Sequence, residues 1–233
     1  MKHTIEPIGY IESPYLEKFA VPRQPGIIPS AQTRLRLSPP FNAREIFDGI
    51  EQFSHFWIIF GFHQNWHSGW QNKVRPPRLG GNKRIGVFAS RSTFRPNGLG
   101  LSVLPFKEVI FLDNNPCLVF QGGDLVNGTP VYDIKPYLSY ADAIDSASSG
   151  YAPSMPEDSL NIRWNEQARH QLCACGLSTH EVSLIEQVLS QDPRPSYRKH
   201  KQDDRQYGVK LIRFNILFTI KENQCTITSL TQL

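Results

Sequence analysis

The sequence predicts a mainly β protein, a closed or nearly closed β-barrel domain followed by a small α+β C-terminal domain, on three observations. Through about residue 138 turn residues recur between short apolar stretches, the rhythm of an all-β domain. Past an acidic Ser/Ala/Gly/Pro stretch, Ala141 to Asp158, the apolar spacing becomes helical. So many short strands in one domain must also hide their edges, and closing into a barrel does so most economically. The domains expected are 1–145 and 160–233.

Taken in order, the first residues alternate imperfectly, but Thr33 to Leu37 (TRLRL) alternates cleanly. A helix is expected next, with Asn42 as cap, Glu45 at the third position, and Ala43, Ile46, Phe47 and Ile50 on one face. The apolar run Phe53 to Phe62 reads as a strand buried on both faces, and RIGVFAS, LGLSVLPFKEVI, PCLVFQ and PVYDI as further strands. Beyond the linker, NEQARHQLCACG has Asn165 as cap, Ala168, Leu172 and Cys175 on one face and Gly176 as terminator. STHEVSLIEQVLSQDP has a Ser178/Glu181 capping box, a stripe of Val182, Ile185, Val188 and Leu189, and Pro193 as stop. The chain then ends in what reads as a hairpin, YGVKLIRFNILFTI returning through KENQ to CTITSL.

At 233 residues and 39% hydrophobic the chain has ample core material. A net charge of +4 is too small for a nonspecific polyanion binder, so the placement of the charge is what informs. From Lys73 to Arg95 there are seven lysines and arginines and no acid, whereas Ser139 to Asp158 has four acids and no base. Solvated faces usually mix signs, so the basic run is expected to face something anionic. There is no signal-peptide pattern, and the longest apolar run is about half a bilayer span. A soluble cytoplasmic protein is expected. The four cysteines form no CxxC pair, and neither a metal site nor a disulfide is expected.

Within the basic run, LGGNKRIG lacks the GKS or GKT ending of a phosphate loop. RSTFRPNGLG is more distinctive: Arg91 and Arg95 present rigid donor forks around a tight Pro96-Asn97-Gly98 turn, suited to carboxylate or phosphate, or to pairing with acids elsewhere. His63 and His67 stand at metal-ligand spacing for a helix, but follow a strand and lack an HExxH pattern; a polar role facing a ligand fits better. Asp124 lies at a strand end before an Asn-Gly turn, and Asp133, Lys135 and Tyr137 share one face of a strand. No GxSxG, Cys/His pair or spaced carboxylate pair is found. Two classes remain: an enzyme that positions a reactive cofactor, and a nucleic-acid-binding module without activity.

Several long motifs in order, PRQPG, the strand ending in Phe62-His63, VRPPRLGGN, GVFASRSTFRPN with GLS, DLVNGTPVYDIKPYLSYADA, and DPRPSYR with YGV, resemble the TsaA/TrmO (YaeB-like) tRNA methyltransferases over nearly the full chain. Departures are Thr93 and Gly98-Leu99, where the family usually has proline and Pro-Ile, and Asn127, where Asp is usual. The resemblance implies a β-barrel that binds S-adenosylmethionine, a homodimer, and methylation of N6 of the threonylcarbamoyladenosine 3′ of the anticodon in a threonine tRNA. Carried over residue by residue, the cofactor pocket would be Gln24, Pro25, Gly26, His63, Gln64, Arg91, Leu101, Asp124, Leu125, Val126 and Asn127. Asp133 is expected to orient or deprotonate N6 while Arg95 and Asn97 grip the modified base; structural roles are the alternative for all three. A second basic patch, Arg194, Arg198, Lys199 and Lys201, is expected to reach tRNA phosphates, with a plain surface loop as its alternative. The runner-up function is an RNA-binding or RNA-processing β-barrel that does not use S-adenosylmethionine.

Overall fold

A computed structural model describes residues 3–80, 82–113, 115–155, 160–195, 198–199 and 204–233. Alternating sequence gives alternating burial at the start: β1 (Gly9–Glu12) buries Ile11, and β2 (Gln32–Leu37) buries Thr33, Leu35 and Leu37. The segment expected as a helix is instead two short 3-10 turns, Arg44–Phe47 and Ile50–Gln52, separated by Gly49 at φ 82°. Asn42 does not cap it: its amide donates to Asn115 Oδ1 at 3.2 Å, and Ile46 is exposed. In β3 (His55–Gly61), Phe56, Ile58 and Phe60 are buried while His55, Trp57 and Ile59 are half-buried. The strand therefore has one core face rather than the two its apolar run suggested. RIGVFAS yields only the two-residue β5 (Ile85–Gly86), paired with β4 (Lys73–Val74) outside the main sheet. Next come β6 (Leu99–Leu112), β7 (Asn115–Gln121) and β8 (Pro130–Pro136).

Six antiparallel strands hydrogen-bond in the cyclic order β1-β2-β7-β6-β3-β8. The expectation of a barrel closed along its wall is corrected by the register at the seam. β1 meets β8 through only two strand pairs, Gly9↔Val131 and Tyr10↔Pro130, whereas Tyr132 to Pro136 have no partner on β1. β1 is too short to follow β8, so the sheet runs unpaired there, away from the mouth where β1, β3 and β7 end. Inside, Phe56, Phe106 and Phe120 meet edge to face with centroids 5.4, 6.0 and 6.4 Å apart.

After β8, α1 (Ser139–Asp142) is one turn whose Asp142 carboxylate accepts from Trp57 Nε1 and Leu138 N, at 3.0 and 2.9 Å. The second unit comprises β9 (Asn161–Trp164), α2 (Glu166–Ala174), α3 (Thr179–Ser190), β10 (Gln206–Leu211), β11 (Phe214–Lys221) and β12 (Gln224–Gln232). Both helices carry the expected caps: Asn165 Oδ1 accepts from Ala168 N, and Ser178 and Glu181 form the box. The expected hairpin is corrected to a four-stranded sheet, β10-β11-β12-β9, because a turn at Ile212, φ 60°, cuts YGVKLIRFNILFTI in two and β9 adds in parallel.

There are two cores. The inner residues of the ring make one; the other packs α2, α3 and the second sheet around Phe214, Phe218 and Ile227. Tyr15, Ile28 and Ala31, from the 13–31 connection between β1 and β2, belong to the second core. Backbone links tie this connection down: Tyr15 bridges to Leu211, and Ile212 N donates to Pro14 O at 2.7 Å. Among the described residues the buried Tyr15 hydroxyl has no hydrogen-bond partner, so Tyr15→Phe is expected to change stability by less than about 1 kcal/mol, and Tyr15→Ala to cost about 3–5 kcal/mol. Urea unfolding of both variants checks this; a large Tyr15→Phe loss would reveal a partner for the hydroxyl.

Candidate active site

Because β1, β3 and β7 run toward the same end of the ring, their exits place the connection 13–31, the turn His63–Ser68 and the segment Asp124 to Gly128 around one mouth. The connection stitches them together. Ser13 Oγ donates to Leu125 O at 2.7 Å, Ser13 N to Asn127 Oδ1 at 3.1 Å, and Asn127 N to Tyr15 O at 2.8 Å. Lys18 Nζ donates to Gln64 O and Asn65 Oδ1 at 3.1 and 2.7 Å. The Arg91 guanidinium donates to Gln24 Oε1. Residues from four distant stretches, Gln24, Gln64, Arg91 and Asn127, are thus linked directly or through one shared connection.

Ser102, opposite Ile58 in the β3–β6 ladder, is buried and donates to Asp124 Oδ1 at 2.8 Å. Burial pushes the Asp124 carboxyl up to about 6, against the Ser102 hydrogen bond and the charge of Arg91, which favour ionisation. Burial likewise holds His63 below the ordinary imidazole range, so its ring is neutral near pH 7. His63 and His67 lie on a 3-10 turn, where residues four apart diverge, and no group of three metal-ligating side chains occurs among the described residues.

On the outer wall, Ile59 is flanked by Leu101 on β6 and Asp133 on β8. Leu101 and Asp133 thus share one row, two strand spacings or roughly 10 Å apart. Asp133 is exposed and its Oδ1 accepts from Ile134 N at 2.9 Å. Arg95 is turned to its own loop, donating to Ser90 O at 2.6 Å and Val87 O at 3.3 Å, while Asn97 is exposed at φ 65° in the adjoining turn. Among the described residues no hydrogen bond joins Asp133, Arg95 and Asn97. Where the family usually has proline, the Thr93 hydroxyl accepts from Asn65; Gly98 leaves room for Trp66, whose ring would lie 3.0 Å from a Cβ there.

The second basic patch needs a correction. Arg194 is buried at 3% exposure and clasps Asp192 with two hydrogen bonds, 2.9 and 3.0 Å, so it is unavailable to RNA phosphates. Lys199 is half-buried and lies 3.9 Å from the same carboxylate; Arg198 is half-buried; Lys201 lies outside the described residues. Sequence reasoning missed Ser102, Lys18 and Ser13, which hold the mouth together; as single polar residues they carry no pattern.

At the mouth the exposed Arg91 fork holds Gln24, and behind it the half-buried Asp124 carboxyl is held by Ser102. Residues 10–143 match the tRNA-methyltransferase O N-terminal domain and residues 157–233 the TrmO C-terminal domain, so the chain belongs to the TrmO family. It is 47% identical over 218 residues to the tRNA (adenine(37)-N6)-methyltransferase of Escherichia coli K12, covering 93% of each chain. It is 48% identical to the putative S-adenosylmethionine-dependent methyltransferase RcsF of Pseudomonas aeruginosa, covering 91% of this chain and 90% of that one. The crystal structure of TrmO from Pseudomonas aeruginosa superposes with a TM-score of 0.78 at 39% identity over 99% of each chain.

Proposed function

We propose that this chain transfers the methyl group of S-adenosylmethionine to N6 of an adenine in tRNA, and that this adenine is the threonylcarbamoyladenosine 3′ of the anticodon in a threonine tRNA. The observation that carries the reading is near-full-length similarity to a tRNA (adenine(37)-N6)-methyltransferase, joined to a mouth at which the motif segments converge. The cofactor pocket we assign is Gln24 to Gly26, His63, Gln64, Arg91, Leu101 and Asp124 to Asn127. The residues fit such a ligand. Arg91 offers a fork to its carboxylate, the ionisable Asp124 accepts from its donors, and Gly26, φ 79° with open space at its Cβ position, lets backbone approach closely. When bound, the cofactor supplies an electrophilic methyl on sulfonium, so the protein's contribution is alignment, exclusion of water and proton removal. N6 is a weak nucleophile because its lone pair is delocalised. Asp133 is the proton acceptor we assign, supported by its place in one row with Leu101 on the outer wall. Arg95 then acts by fixing the loop that carries Asn97 toward the base.

We assign the protein to the cytoplasm; no helix among the described residues is long and apolar enough to cross a membrane. A homodimer is supported by the exposed Trp66, Trp70, Phe88 and Leu101 around the site, and light scattering measures it.

Methylation of tRNA with labelled S-adenosylmethionine, followed by mass spectrometry of the digested nucleosides, is expected to place the methyl on threonylcarbamoyladenosine. Absence of cofactor binding at millimolar ligand would leave only an RNA-binding role. Arg91→Ala is expected to weaken cofactor binding by about 1–3 kcal/mol in calorimetry, as for loss of a charge-assisted hydrogen bond. Unchanged affinity in the folded variant would remove Arg91 from the pocket.

A further inference from the structure

Trp66, an exposed ring at the mouth, is held where the parts of the site meet. It stands on the turn that opens with His63, and its indole meets the His63 ring edge to face, centroids 6.4 Å apart. Asn65 beside it is tied to Lys18 and Thr93. Two glycines admit the indole: its Cζ2 lies 2.8 Å from where a Cβ on Gly61 would sit, and its Cδ1 and Nε1 lie 3.0 Å from the same position on Gly98. The Tyr132 ring, 3.0 Å from the Gly61 position, flanks it there. Gly98 follows Asn97 and Tyr132 precedes Asp133, the two residues assigned above to the base and its proton. Outward positions alternate along β3, so Gly61 stands two residues, roughly 7 Å, along the outer wall from Ile59 and its Leu101–Asp133 row. Held this closely, Trp66 is still 49% exposed. Trp57 and Trp164 spend their Nε1 donors on Asp142 and Glu186, whereas among the described residues no hydrogen bond engages that of Trp66.

We propose that Trp66 is the stacking surface for the target adenine, laying the base between the Asn97 turn and Asp133. The proposal rests on the tRNA reading above and names a residue outside the assigned cofactor pocket. Alignment is the protein's main task in methyl transfer, and a base taken out of its stack has lost the neighbours that kept it flat. Hydrogen bonds to a base's edge set its position in the plane; an aromatic ring against its face sets the plane itself. The indole is placed for this, touching His63 on the cofactor side and the neighbours of Asn97 and Asp133 on the other. A ring packed only for the scaffold would bury its surface, whereas this one is pinned along one edge and open over half its area. Gly98, where the family usually has proline, fits the same account: a Cβ there would crowd the indole, so the departure at 98 makes room for the ring at 66.

The test is methylation of purified bulk tRNA by the full-length protein, by Trp66→Ala and by Trp66→Phe, with cofactor affinity measured by calorimetry on all three. Trp66→Ala is expected to lower kcat/KM for tRNA by about 10-fold or more, and Trp66→Phe, which keeps an aromatic face, by about 3-fold or less. Cofactor affinity and the salt slope of tRNA binding should stay unchanged, since stacking releases no counterions. Stacking also leaves an optical mark: the quenching of tryptophan fluorescence that tRNA causes should shrink in Trp66→Phe. Should Trp66→Ala fail to fold, Trp66→Leu carries the same kinetic reading. If the unsubstituted protein methylates tRNA and Trp66→Ala keeps its kcat/KM, or if the quenching is undiminished in Trp66→Phe, the stacking role is wrong while the methyltransferase reading stands. If cofactor affinity falls in parallel, the ring belongs to the cofactor pocket; if light scattering shows that Trp66→Ala has lost a dimer, it is a subunit contact, and either result overturns the proposal. If the unsubstituted protein methylates no tRNA, both readings fall together.

Discussion

Asp192→Ala is expected to lower the unfolding free energy by about 3–5 kcal/mol, because it strands a buried guanidinium. Asp192 and Arg194 are 4% and 3% exposed, and the carboxylate receives both guanidinium bonds as well as the Arg194 amide at 3.2 Å. Removing the carboxylate leaves the guanidinium's charge in a low-dielectric setting with its two bonds to Asp192 unmade, while Nη2 keeps Lys199 O at 3.4 Å. Part of the loss comes from the backbone, since Asp192 sits at φ 48°, a region that alanine enters at about 1 kcal/mol. The companion variant Asp192→Ala/Arg194→Met separates the causes. Deleting both charges should recover much of the loss, whereas equal destabilisation in single and double variants would assign the effect to backbone strain and packing. Chemical denaturation of the three proteins decides it, and a loss below about 1 kcal/mol in Asp192→Ala would contradict the account.

The second large effect concerns Asp124 and runs in opposite directions for stability and function. Its carboxyl is pushed up to about 6, chiefly by burial. A carboxyl with a folded value above its unfolded one near 4 binds its proton more tightly in the folded protein. Its contribution to stability is therefore complete below about pH 4 and is lost as pH rises through about 6, by an amount on the order of 3 kcal/mol. Asp124→Asn keeps an oxygen to accept from Ser102 and abolishes the charge. It is expected to be more stable than the unsubstituted protein at pH 8, with the difference vanishing near pH 4, and to bind S-adenosylmethionine at least about 10-fold more weakly, since a charged acceptor has been replaced by a neutral one. Cofactor affinity of the unsubstituted protein should rise with pH through about 6 and level off. A flat stability difference across this range would show that Asp124 does not titrate there, and intact affinity would take it out of the pocket.

What the sequence by itself determined about this protein lies in its local patterns. Thr33 to Leu37 became a strand with the expected face inward, Asn165 and the Ser178/Glu181 pair start their helices, and the motif order is that of the TrmO family. Alternation and capping are decided by neighbours in the chain, so they can be read without the fold. Where a long-range partner outbid a local preference, only the tertiary structure decided. Asn42 gave up its capping role for Asn115; β1 proved too short to follow β8 along its length; and RIGVFAS paired with β4 outside the ring. The basic residues make the same point, since Lys73 to Arg95 and Arg194 to Lys199 look alike as strings of charge. In the folded protein Arg194 is consumed by a buried carboxylate, while Arg91 in the first string stays exposed and holds Gln24. Whether a charge is spent inside or left at the surface depends on burial and, for Arg91, on a partner far away in sequence, and these exist only once the second core has closed over the connection 13–31.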